Sequence, residues 1–125
     1  QINNPVTVMG QTGGLRITGN SALNVDGYLY CINMSGSGLQ VEYGGSAFAF
    51  NTFVSTCTRG MYSYMGSTIR ANESHALACT TGYQASYNSV IDATSTSANN
   101  SGNTTNYSPA TSGTEGNQSS VILWS

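Results

Sequence analysis

Few residues of this chain are types that do chemistry, and their spacing narrows what that chemistry would be. Its 125 residues hold five carboxylates, three arginines, one histidine and three cysteines. Hydrolysis of a glycosidic bond uses two carboxyl groups set roughly 5–10 Å apart. Among Asp26, Glu42, Glu73, Asp92 and Glu115, no pair is held together by any recurring spacing. Asp92 follows Arg70 by 22 residues, which predicts a stacked surface ion pair. His75 has no second histidine or exposed thiol at metal-ligand spacing, so we expect no catalytic residue, no metal and no cofactor within one chain. Aromatics are the more informative group. Tyr62 and Tyr64 stand two apart with polar residues around them, and a tyrosine offers a flat apolar body with a polar tip.

What would position these rings is a repeat. Gly38-Leu39-Gln40-Val41-Glu42-Tyr43 is followed by Gly60-Met61-Tyr62-Ser63-Tyr64-Met65 and by Gly82-Tyr83-Gln84-Ala85-Ser86-Tyr87, and a weaker copy begins at Gly14. Taking Ser46, Ser67 and Ser89 as anchors, the steps are 21 and 22 residues, the range of a repeat architecture. Cys57 and Cys79 are 22 apart and Cys31 precedes Cys57 by 26, so the three cysteines read as one column of free, buried, stacked thiols.

From 14 to 93 the pattern alternates with period two and shows no helical spacing. First strands are expected to point Leu15/Ile17, Leu39/Val41, Met61/Ser63 and Tyr83/Ala85 inward. Second strands would turn in Leu23/Val25, Phe48/Phe50, Ile69/Ala71 and Ile91/Ala93, and third strands Leu29/Cys31, Ser55/Cys57 and Leu77/Cys79. Three short strands per turn of about 22 residues predict an all-β fold, a parallel β-helix (β-solenoid) whose turns stack at the inter-strand spacing of about 4.8 Å. A sandwich or jelly roll, the competing architecture, gives no reason for the serines and cysteines to keep one beat.

This register makes Tyr62 and Tyr64 outward neighbours, with Gln40 and Gln84 in the column of Tyr62 and Glu42 and Ser86 in that of Tyr64. Such a face resembles a sugar-binding surface, and Tyr62, Tyr64, Gln40 and Gln84 are the candidate glycan contacts. Packing of the same rings between chains is the alternative.

Three regions are expected: a lead-in segment (1–13) with a short strand at Val6-Thr7-Val8, the repeats (14–93), and a polar loop with a C-terminal capping strand (94–125). Val121, Ile122, Leu123 and Trp124 are apolar on both faces and need cover on both sides, from a cap or from neighbouring chains. Charged residues make up 6% of the chain, against about a quarter in an ordinary globular domain. Arg16, Arg59 and Arg70 cannot neutralise a row of phosphates, so no nucleic-acid partner is expected, and no apolar run predicts membrane insertion.

The recurring Gly66-Ser67-Thr68-Ile69-Arg70-Ala71 and Asn88-Ser89-Val90-Ile91-Asp92-Ala93, with Asn106-Tyr107-Ser108-Pro109-Ala110 and Gly116-Asn117-Gln118-Ser119-Ser120, resemble the β-helical segments of bacteriophage tail fibres and tailspikes. The likeness is to a style of repeat and spans about 14–124. It implies a homotrimer, a place in the virion after assembly in the bacterial cytoplasm, whose reducing conditions suit free thiols, and a partner in bacterial cell-surface polysaccharide. A trimer axis could also gather three copies of His75. The opening Gln1-Ile2-Asn3, with no initiator Met, reads as a fragment, a processed product or a trimmed chain, and the closing Ser125 resembles fibres cut after a serine. A structural and receptor-binding part is the leading expectation. A tailspike polysaccharide depolymerase is the alternative, and a non-phage β-solenoid adhesin the further one; ice binding ranks last, since only Thr58 and Thr80 align.

Overall fold

The computed structural model describes residues 1–94, 96, 100–109 and 120–124, the last of these by backbone alone. Short strands recur in threes. The first turn contributes β1 (Val6–Met9), β2 (Leu15–Ile17) and β3 (Ala22–Asn24), and the second β4 (Leu29–Ile32), β5 (Ser37–Glu42) and β6 (Ser46–Phe48). Next come β7 (Thr52–Ser55), β8 (Arg59–Tyr64) and β9 (Thr68–Arg70), then β10 (His75–Leu77), β11 (Thr81–Ser86) and β12 (Val90–Ala93). The last set is β13 (Asn100–Ser101), β14 (Thr105–Ser108) and β15 (Val121–Trp124). Every third strand pairs in parallel, giving three five-stranded sheets: β1-β4-β7-β10-β13, β2-β5-β8-β11-β14 and β3-β6-β9-β12-β15. This is a parallel β-solenoid of about 23 residues per turn.

Inward columns fill the interior with like on like. Leu39, Met61 and Tyr83 stack in the second sheet, and Ile69, Ile91 and Ile122 in the third. All six are fully buried, each such burial contributing about 1.5–3 kcal/mol. Several polar groups inside are paired. Ser74 Oγ donates to the Ala71 carbonyl and meets the Tyr83 hydroxyl at 2.9 Å, and Thr96 repeats the arrangement one turn on with Ala93 and Tyr107.

Corner serines supply bonds that the bent backbone cannot. Ser67 Oγ accepts from the Tyr64 N–H at 2.8 Å and donates to the Val41 carbonyl of the preceding turn at 2.6 Å. Ser89 does the same with the Ser86 N–H and the Ser63 carbonyl, at 2.9 and 2.7 Å. Buried backbone groups demand partners, and a hydroxyl that accepts within its own turn and donates to its neighbour fixes both corner and register. In the second turn this position is Gly45, where a side chain would press on Val41 and Ile17 at 3.2 and 3.4 Å.

Several expected inward positions are therefore corrected. Ser46 is not the equivalent of Ser67; it pairs with Thr68. That one-residue offset turns Ala47 and Ala49 inward and leaves Phe48 and Phe50 each 38% exposed, because side chains alternate across a strand. In the first sheet Leu29 and Cys31 are inward as expected, but in β7 and β10 the inward residues are Thr52, Val54 and Ala76, while Ser55 is half-buried and Leu77 exposed. Cys31 stacks on Val54, not on Cys57. Cys57 and Cys79 lie beyond their strands, in a corner column in which the Thr58 N–H donates to Met34 and the Thr80 N–H to Cys57. Arg70 and Asp92 do stand in register, yet the described residues show no ion pair between them. Arg70 lies 5.2 Å over the Phe48 ring, and Asp92 accepts from Asn72 and Thr94.

Both ends extend the stack. Val6–Met9, expected as lead-in, is the outermost strand of the first sheet, and Asn100–Ser101, inside the expected polar loop, continues that sheet at its other end. Ile122 of β15 is fully buried and Leu123 exposed. Ser125, the stretch 110–119 with Glu115, and the side chain of Trp124 lie outside the described residues.

Candidate functional site

Glycines at the start of each strand shape the outer face of the second sheet. A side chain on Gly60 would strike Val54 Cγ2 at 2.8 Å, and one on Gly38 would meet Val54 Cγ1 at 2.8 Å. Both positions therefore face the interior, as do the Leu39 and Met61 that follow them. Two successive inward positions break the alternation, so the residues before the glycines, Ser37 and Arg59, reach the same side of the solenoid as Tyr62. Arg59 shows this directly, its guanidinium carbon 4.3 Å from the centroid of the Tyr62 ring.

Stacking of turns then builds columns. Arg16, Gln40, Tyr62, Gln84 and Ser108 form one, and Glu42, Tyr64 and Ser86 the next. Tyr64 is the centre of an aromatic cluster. Its ring lies 5.6 Å from Tyr62, and it meets Tyr43 and Tyr87 edge-on at 6.1 and 5.0 Å. Tyr43 and Tyr87 hold left-handed corner conformations, φ 50° and 58°, which swing their rings onto either side of Tyr64. Edge-to-face pairs of this kind add about 0.5–1.5 kcal/mol beyond burial and present a rigid surface.

The register of Tyr62, Tyr64, Gln40 and Gln84 is that read from the repeat, but the accessible groups differ. Tyr62 points outward and is nevertheless only 8% exposed, since Arg59 lies over its ring and neighbouring turns flank it. The rings open to a ligand are Tyr64 and, more so, Tyr43. Glu42 is buried as well: Arg16 pairs with it, through Nε at 2.6 Å and through a second guanidinium nitrogen, and Gln40 Nε2 donates to it at 2.7 Å. Beside this cluster a cavity of about 330 Å³ opens, lined among others by Arg16, Ser37, Gln40 and Arg59. Sequence reasoning missed it, because the three polar side chains other than Gln40 come together only through the glycine bends and the stacking of turns.

A second aromatic array runs along the outer face of the first sheet. Tyr30, Phe53 and His75 stack at 5.1 and 4.4 Å with interplanar angles of 16° and 15°, and Tyr28 joins at 6.3 Å from Tyr30. Partial burial lowers the His75 pKa from its ordinary value, favouring the neutral ring that stacks. Spacings of 23 and 22 residues carried this signal in the sequence; the cysteine beat obscured it by placing the wrong residues in that column.

All three thiols are free and buried. Burial pushes Cys31 up to about 11. Interaction between the neighbouring Cys57 and Cys79 thiols lowers the first and raises the second, whose burial adds to the rise. Among the described residues no group of three metal-binding side chains occurs and no helix is long and apolar enough to cross a membrane.

The fold and this face define a class, a parallel β-solenoid with an aromatic, amide-flanked outer sheet. Comparison with known protein families, with curated proteins and with solved structures gave no match.

Proposed function

We propose that this solenoid is a structural and receptor-binding part of a bacteriophage tail fibre or tailspike, which recognises bacterial surface polysaccharide through the outer face of its second sheet. The observation that carries the recognition reading is the cluster of the exposed Tyr43 and the half-buried Tyr64 and Tyr87, held edge-to-face, with the half-buried Gln84 alongside. Sugar rings present apolar C–H faces and polar rims, and a rigid aromatic surface bordered by amides and hydroxyls matches both. The phage setting is drawn from the resemblance of the repeat to tail-fibre and tailspike segments.

Recognition is favoured over cleavage because the described part of this face carries one carboxylate, Glu42, and that group is engaged by Arg16 and Gln40. Asp92 lies on the third sheet and Asp26 outside any strand. Assembly into a trimer is part of the proposal, since Phe48, Phe50 and Leu123 leave apolar surface exposed on the third sheet's side.

The test is binding of the protein to purified capsular polysaccharide and lipopolysaccharide, with product release followed in parallel. Binding without release of oligosaccharide is expected, and Tyr64→Ala or Tyr43→Ala should weaken it at least about tenfold, the effect of losing one well-packed contact. Unchanged binding by both variants would move the site elsewhere, and soluble oligosaccharide products would favour a depolymerase.

A further inference from the structure

Two of the chain's three arginines line one small cavity at the edge of the aromatic platform, and their charges are not balanced there. Arg16 is matched by Glu42, whose side chain is 3% exposed. Arg59 meets no carboxylate among the described residues, and its positive charge is uncompensated by any of them. We infer that this cavity, bounded by Arg59, Ser37, Gln40 and Arg16, binds the carboxylate of an acidic sugar unit, so that the polysaccharide recognised under the proposed function is a uronic-acid-type polymer. The inference rests on the glycan-binding reading and narrows it.

Three features support a built site. First, Ser37 is 5% exposed and its hydroxyl has no hydrogen-bond partner. Buried hydroxyls are nearly always paired, and a ligand oxygen in the cavity that Ser37 lines would supply the missing bond. Second, Arg59 is held before any ligand arrives, because its guanidinium carbon sits over the Tyr62 ring, 4.3 Å from the centroid. A planar fork held in place recognises a carboxylate with little ordering cost. Third, Gln40 gives its amide nitrogen to Glu42 at 2.7 Å, which leaves its carbonyl oxygen to accept from a sugar hydroxyl.

Charge and size select the ligand class. A single uncompensated guanidinium matches a monoanion such as a carboxylate better than a phosphate dianion, and the chain's net charge of −2 disfavours further negative charge. A volume of about 330 Å³ is at the small end of ligand pockets, suited to one sugar unit with the adjoining units extending over Tyr64. The site is therefore a charged subsite attached to an aromatic one.

The experiment is calorimetric titration with uronic-acid oligosaccharides, glucuronate- and galacturonate-containing, against the same oligosaccharides after reduction of their carboxyl groups to alcohols. The acidic form should bind at least about tenfold more tightly than the reduced form, the scale of one charge-assisted hydrogen-bonded contact. Arg59→Gln should abolish that preference, and Ser37→Ala should reduce it while leaving the reduced form unaffected. Tyr64→Ala should weaken both forms alike. Arg59→Lys, which keeps the charge and removes the fork, guards against loss of fold in the glutamine variant; it should keep the melting temperature and lose most of the preference. Equal binding of acidic and reduced forms, or a preference untouched by both Arg59 variants, overturns the carboxylate site while a loss on Tyr64→Ala leaves the glycan reading standing. Absence of binding by either oligosaccharide, together with absence of binding to whole polysaccharide, overturns both.

Discussion

Thr56 and Ala78 occupy left-handed backbone positions, φ 55° and 53°, in a corner column whose other members are Gly10, Asn33 and Gly102. Glycine and asparagine accept this conformation readily, whereas other L-residues lose about 1–2 kcal/mol in it. Thr56 is exposed, so little packing is forfeited by trimming it. Thr56→Gly should therefore raise stability by about 0.5–1 kcal/mol, strain relief less the entropy of a more flexible unfolded chain, seen as a higher urea midpoint. A lower midpoint would refute the strain argument. The thiols give a second prediction at this scale. Denatured protein should yield three free thiols per chain. In the native protein all three should react slowly, Cys57 first, because its interaction with the neighbouring Cys79 thiol favours the thiolate while burial holds Cys31 in the thiol form. Recovery of a single thiol from denatured protein would contradict the free state.

At the scale of the elements, the corner between the second and third sheets shows how a short strand pair is held in register. Ser21, Gly45, Ser67, Ser89 and Ser120 follow one another there, the N–H of the residue after each donating to the carbonyl of its predecessor in the column. Where the residue is an inward serine its hydroxyl also bridges turns, as Ser120 does to the Ala85 carbonyl at 2.9 Å. Ser89→Ala would strip the Ser86 N–H of its acceptor and remove the bond to Ser63. A loss of about 1–3 kcal/mol is expected, the cost of leaving buried backbone groups unpaired. The outward Ser46 at the start of β6, which is half-buried, provides the control: Ser46→Ala should change stability by less than about 0.5 kcal/mol. Equal effects of the two substitutions would show that the ladder does not stabilise the corner.

For the whole molecule, a solenoid ends in strands whose outer edges have no partner within the stack, and such edges invite association. β15 forms one of these ends with Val121, Ile122 and Leu123, and Phe48 and Phe50 are exposed on the same side as Leu123. With charged residues at 6% of the chain, little repulsion opposes close approach of copies. The proposed trimer then predicts a mass by light scattering of three times 13.0 kDa, and Leu123→Lys should shift the population towards smaller species. A stable folded monomer at micromolar concentration would defeat the trimer without touching the fold of the chain.

The sequence by itself determined the architecture. Period-two alternation, glycines opening Gly38-Leu39, Gly60-Met61 and Gly82-Tyr83, and a beat near 22 residues specify short strands that stack in parallel, because each property is local and repeats along the chain. It also placed Tyr62 and Tyr64 correctly between Gln40 and Gln84 and between Glu42 and Ser86. Only the tertiary structure decided how many residues each corner consumes. The left-handed corner residues Tyr43, Thr56, Met65 and Ala78 are not types that announce a turn, so the offset between successive strands could not be read from them. A one-residue offset reverses every side chain in a strand, which sent Phe48 outward; a three-residue shift in the first sheet set Cys31 beside Val54, and the glycine bend brought Arg59 over Tyr62. The cavity that Arg59 lines is a product of that bend, visible only once neighbouring turns lie on one another.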